Sequence, residues 1–94
     1  LLKEITVNRK SSISLQKHHH RSEHWTITSG RPKITVGKKV FFKNIHESVF
    51  IPKGSVHRIE NIYEKPVKII EAQLGNILKE TDIVRYKDIY GRIK

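Results

Sequence analysis

Gln16-Lys17-His18-His19-His20-Arg21-Ser22-Glu23-His24-Trp25 gathers four of the chain's six histidines into ten residues, with a carboxylate and an amide beside them. The flanking segments, residues 12–17 and 23–28, alternate side-chain character as strands do. Alternate side chains of a strand share a face. Gln16 and His18 therefore point the same way, and Glu23 joins them from the next strand after a short bend. The same alternation turns His19 away from His18 and sets His24 opposite Glu23. Imidazole, amide oxygen and carboxylate suit a first-row divalent ion in a nitrogen and oxygen site. The plainer reading is a solvated, histidine-rich turn. Its internal position, followed by Glu23-His24-Trp25, sets the run apart from a purification tag.

Outward from this stretch the chain reads as short strands separated by turn residues. Residues 2–7 are rich in β-branched side chains, and Gly30-Arg31-Pro32 ends the strand that carries Glu23. Residues 33–36 and 39–42 flank Gly37-Lys38, a hairpin signal. Residues 48–51 form a short apolar strand stopped by Pro52-Lys53-Gly54. Residues 56–61 follow with His57, Ile59 and Asn61 on one face, and 66–74 make the longest strand candidate. This spacing predicts an all-β sandwich or barrel. Residues 81–90 read as a short helical turn or an irregular arm packed on it. With no linker, repeat or low-complexity tract, residues 1–94 form a single domain.

Composition narrows the partners. Lys and Arg outnumber Asp and Glu by 19 to 9, a formal charge of +10 that attracts anions. The basic residues are scattered, with neither a basic helix nor an aromatic platform for RNA. Phosphate-bearing small molecules or general surface charge fit better than nucleic acid. No cysteine is present, which excludes disulfides and thiolate zinc sites and is compatible with a reducing cytoplasm. Neither a signal peptide nor a membrane-spanning apolar run is found, so a soluble, cytoplasmic protein is expected.

Two motifs in order resemble those of the cupins: His18 to Glu23 followed, after six intervening residues, by Gly30, and then Pro52-x-Gly54-x-x-His57-x-x-x-Asn61. The first departs from the usual His-x-His by having Gln16-x-His18. A closer resemblance covers nearly the whole chain. Gln16-x-His18-x-x-Arg21-x-Glu23-His24-Trp25, Pro52-x-Gly54-x-x-His57-Arg58-x-x-Asn61 and Asp82-Ile83-Val84-Arg85-x-x-Asp88-x-Tyr90-Gly91-Arg92 are similar to the type II phosphomannose isomerases. Lys79-Glu80-Thr81-Asp82, Asn76-Ile77-Leu78 and the loop from Asn61 to Lys65 depart from the family's pattern.

The resemblance implies a double-stranded β-helix, or jelly-roll barrel, expected to be the C-terminal part of a longer chain carrying a nucleotidyltransferase domain. It implies a divalent metal, Zn foremost with Mn, Co, Fe or Ni as alternatives, held by Gln16, His18, Glu23 and His57. The implied reaction interconverts mannose 6-phosphate and fructose 6-phosphate in the supply of GDP-mannose for polysaccharide synthesis. Glu23 and His20, with His57 also considered, are candidates for the proton transfer, and Arg21, Arg58, Arg85 and Arg92 for the substrate phosphate. A homodimer follows by analogy. The alternative is a non-catalytic cupin module that binds metal or sugar phosphate and serves assembly or regulation.

Overall fold

The computed structural model describes residues 1–75 and the backbone of residues 84–85. Within them the regular structure is all β: β1 (Leu2–Val7), β2 (Ser11–Ser12), β3 (Gln16–Lys17), β4 (Arg21–Ser29), β5 (Lys33–Val36), β6 (Lys39–Phe42), β7 (Ser48–Ile51), β8 (His57–Asn61), β9 (Val67–Gly75) and β10 (Val84–Arg85). One sheet runs β1-β9-β4-β7; the other runs β10-β3-β8-β5-β6, with β2 also on β8. Every pairing is antiparallel. The two hairpin strands about Gly37-Lys38 and the strand at 48–51 stand where the sequence places them.

Residues 12–17 do not form the continuous strand expected. Ser12 pairs with Glu60, but Gln16 pairs with His57, so four steps on one strand face three on the other. The extra residue breaks the ladder, as a β-bulge does, into β2 and β3. The 81–90 arm also differs from expectation where it is described: Val84 and Arg85 pair with Lys17 and Gln16 as an edge strand.

Burial alternates along β4 and β9, the pair that spans the middle of its sheet. Val67 and Ile69 on β9, and Ile27 and Trp25 on β4, point inward with Val7, Ile34, Ile51 and Ile59 to form the core. Burying each aliphatic side chain contributes about 1.5–3 kcal/mol. Towards the other end of the same faces the inward residues turn polar: Glu71 and Gln73 on β9, Glu23 and Arg21 on β4. The register holds Trp25 opposite Glu71 and Glu23 opposite Gln73. The interior is thus apolar at one end and polar at the other.

Asn61, on the face of β8 with His57 and Ile59, serves the fold. Its Nδ2 donates to the carbonyls of Lys65 (2.8 Å), Val7 (3.2 Å) and Asn8 (3.3 Å), and the Tyr63 amide donates to its Oδ1 at 3.1 Å. Gly30 is equally local in role. Its φ is +79°, and an added Cβ would lie 2.7 Å from the Pro66 carbonyl oxygen. Gly30→Ala is expected to destabilise the protein by roughly 1–3 kcal/mol through left-handed backbone and steric strain. Urea denaturation would measure this, and an unchanged midpoint would refute it.

Candidate metal centre

Three buried ligand-bearing side chains meet at the polar end. Among the described residues, His18, Glu23 and His57 bring one ligand atom each within 4.8 Å of one another. Their exposures are 3%, 1% and 2%. His18 lies just past β3, Glu23 on β4 and His57 at the start of β8, so the site spans both sheets. Gln16 pairs with His57 across β3 and β8. Directly paired residues project on the same face, which sets Gln16 beside the cluster, where its Nε2 donates to Ser14 Oγ at 3.3 Å.

Hydrogen bonds fix the chemical form of these ligands. His57 Nδ1 lies 3.1 Å from the Ser55 carbonyl, which only accepts, so Nδ1 carries the proton and Nε2 keeps its lone pair. Burial is the main cause that lowers the His57 pKa from 6.5 to about 4, so the ring is neutral near pH 7. The Arg21 guanidinium, which only donates, gives Nη2–H to His18 Nε2 at 3.1 Å and Nε–H to Glu23 Oε2 at 2.9 Å. His18 Nε2 is therefore also a lone pair, 3.3 Å from Glu23 Oε2. Trp25 Nε1 donates to the other carboxylate oxygen at 2.9 Å. The rings of His18 and His57 stack with centroids 5.1 Å apart, and Trp25 meets His57 edge-on. Two neutral imidazoles and an oriented carboxylate form a donor set that fits a first-row divalent cation. Such an ion would compete with Arg21 for the same two atoms.

Two further buried groups belong to this end and escape the motif reading. Glu71 is 5% exposed, and burial, followed by its hydrogen bond to Glu23, raises its pKa. Gln73 is 1% exposed and donates Nε2–H to Glu71 Oε2 at 2.6 Å. Period-two alternation from Val67 and Ile69 puts both on the inward face, a signal present in the sequence.

The other predicted site residues fall elsewhere or only partly here. His20 is exposed at the bend before β4, its ring 6.3 Å from that of His19, and the structure does not bring it into the cluster. Arg21 is buried against Glu23 and His18. Arg58 is buried, but alternation along β8 puts it on the face opposite His57. Arg85 pairs through its backbone with Gln16; its side chain and Arg92 lie outside the described residues. His24 faces outward against Phe50, ring centroids 5.2 Å apart. A separate surface hollow of about 300 Å³ is lined by Gly30, Arg31, Ile45, Tyr63 and Lys65 and touches none of the candidate ligands.

Comparison with known proteins places this geometry in a family. AlgA of Pseudomonas putida, an alginate biosynthesis protein, is 47% identical over 91 residues, covering 97% of this chain and 19% of that protein. ManC of Salmonella typhimurium, a mannose-1-phosphate guanylyltransferase, is 40% identical over 92 residues, covering 98% and 19%. The chain thus spans about a fifth of the length of these relatives. The cupin domain of Schizosaccharomyces pombe Cnp3 superposes with a TM-score of 0.76 at 16% identity, over 80% of this chain and 55% of that one, and the shared fold is the cupin barrel. Residues 1–88 match the family described as Mannose-6-phosphate isomerase C-terminal, and the chain belongs to that family.

Proposed function

We propose that this domain is an isomerase that interconverts mannose 6-phosphate and fructose 6-phosphate, with a divalent cation held by His18, Glu23 and His57 and completed by Gln16. The observation that carries this reading is the buried cluster itself, with its ligand atoms within 4.8 Å of one another, in a chain of this family. Zinc is the first choice of ion, and the donors also suit manganese, iron, cobalt or nickel. Aldose–ketose isomerisation moves a proton between adjacent carbons and builds negative charge on oxygen, which a bound cation stabilises. The chain's own residues orient the site: Ser55 fixes the His57 tautomer, Trp25 and Arg21 aim the Glu23 carboxylate, and the apolar core behind them keeps water from one end. Glu23 and His57, named above for proton transfer, sit in the ligand set, where a bound group is a poor free base. The guanylyltransferase activity for which ManC is named would, on this reading, reside in a domain outside this chain. A homodimer in the cytoplasm is the proposed setting.

Coupled isomerase activity on mannose 6-phosphate, before and after chelation and with single metals added back, tests this. Loss on chelation and recovery with one ion is the expected result, and activity indifferent to chelation would overturn the metal assignment. The second reading, a non-catalytic module, draws on the Arg21 bonds that already engage His18 Nε2 and Glu23 Oε2. Sugar-phosphate binding with no turnover under any metal would favour it.

A further inference from the structure

Gln73 Oε1 is a buried acceptor with no hydrogen-bond partner among the described residues. The other end of its amide is committed: Nε2 donates to Glu71 Oε2 at 2.6 Å, and Glu71 is in turn hydrogen-bonded to Glu23. With Glu71 Oε2 as the acceptor, the amide nitrogen faces Glu71 and Oε1 faces away from it. Gln73 also sits directly opposite Glu23 on the neighbouring strand, so both side chains rise from the same face with Cβ atoms about 5 Å apart. An unmet buried acceptor costs stability, and the Nε2 bond to Glu71 does not relieve it. Such an acceptor calls for a partner from beyond these residues.

The chemistry of the surroundings selects its partner. Oε1 accepts and cannot donate, so the partner brings an N–H or O–H. Glu23 and Glu71 beside it outnumber the cation Arg21 held against Glu23, which disfavours an anionic group. A phosphate is thus the wrong end of a sugar phosphate for this position, and a hydroxyl is the right one. We propose that Gln73 Oε1 accepts a hydrogen bond from a hydroxyl of an open-chain sugar phosphate seated at the His18–Glu23–His57 cluster, which makes Gln73 a specificity-determining residue. The proposal rests on the isomerase reading above and adds the carbon-chain end of the substrate to it. Glu71 acts through Gln73 as a positioning residue.

The test uses six-carbon alditol phosphates, which cannot isomerise, together with their monodeoxy counterparts, titrated calorimetrically into the metal-loaded chain. In the wild type, deleting one particular hydroxyl is expected to weaken binding roughly three- to tenfold, the worth of one net hydrogen bond. Gln73→Met should weaken the parent ligand by a similar factor and abolish the penalty for that one deoxy compound, while the other deoxy penalties stay. A uniform loss across all ligands would mean that Gln73 only supports the fold. Unchanged affinity would mean that ordered water satisfies Oε1. Either result overturns the proposal while leaving the isomerase reading intact; a wild-type chain that binds no sugar phosphate would overturn both. If Gln73→Met fails to fold, Glu71→Gln serves instead. It keeps the volume but lets the Gln73 amide turn over, and should blunt the same single penalty; an unblunted one counts against the assignment.

Discussion

Glu23→Ala is expected to destabilise the metal-free protein by about 3–5 kcal/mol and to lower divalent-cation affinity by more than about 100-fold. The stability loss follows from Arg21. Its guanidinium is 5% exposed and donates to Glu23 Oε2 at 2.9 Å, and without that carboxylate it is a buried cation with His18 as a neutral partner. Trp25 Nε1 loses its acceptor at the same time. Glu23→Gln keeps an oxygen for Trp25 but removes the charge, so it should fall between wild type and Glu23→Ala in stability while losing the metal almost as fully. Urea denaturation and metal content after equilibrium dialysis give the two readouts. A Glu23→Ala protein within about 1 kcal/mol of wild type that still holds its ion would contradict both the ion pair and the ligand assignment.

The two effects separate in a double substitution. Replacing a buried ion pair by apolar groups of similar volume is often neutral or stabilising, whereas removing one partner is costly. Arg21→Met with Glu23→Leu should therefore recover most of the lost stability and none of the cation binding. Recovery of both would mean that Glu23 matters to the metal only through the fold.

The sequence carried the strands well because their turns are marked by glycine and proline and their faces by period two. It placed His18, Glu23 and His57 together through alternation and the motif resemblance, and the structure brings these three into one cluster. Other features are set by long-range pairing. The bulge that splits residues 12–17 exists because Gln16 lies in register with His57 rather than with Val56, where the Ser12–Glu60 pairing would carry it, and no local propensity encodes that. Arg21 reads in sequence as a cation for phosphate, yet the register turns it inward onto Glu23. His20 sits two residues from His18, and its position at the bend leaves it exposed. Glu71 and Gln73 were legible as inward positions of a strand, but nothing in a single strand's pattern says that its neighbour carries Glu23 at the same level.

The contribution of His57 to the stability of the metal-free protein is expected to be lost as pH falls from about 6.5 to about 4. The cause is His57, held below its ordinary pKa of 6.5 at about 4 chiefly by burial. In that window the unfolded chain binds a proton at residue 57 and the folded chain does not, so stability rises with pH. The contribution is fully present above pH 6.5, is lost progressively as pH drops to the folded value, and amounts to roughly 3 kcal/mol. Glu71 works in the opposite sense. Burial and the nearby Glu23 raise its pKa, so its protonated form favours the folded state and that contribution fades as pH rises through the folded value. Where the two windows overlap, Glu71 offsets part of the His57 effect. Urea denaturation in chelator at pH 7, 5.5 and 4, with His57→Gln as the reference, isolates the histidine: the difference between the two proteins should shrink by roughly 3 kcal/mol between pH 7 and 4. A difference that stays constant would mean that His57 titrates normally in the folded chain. Its imidazole would then be as solvated as a surface histidine, and the dry, neutral ligand on which the metal centre depends would be lost with it.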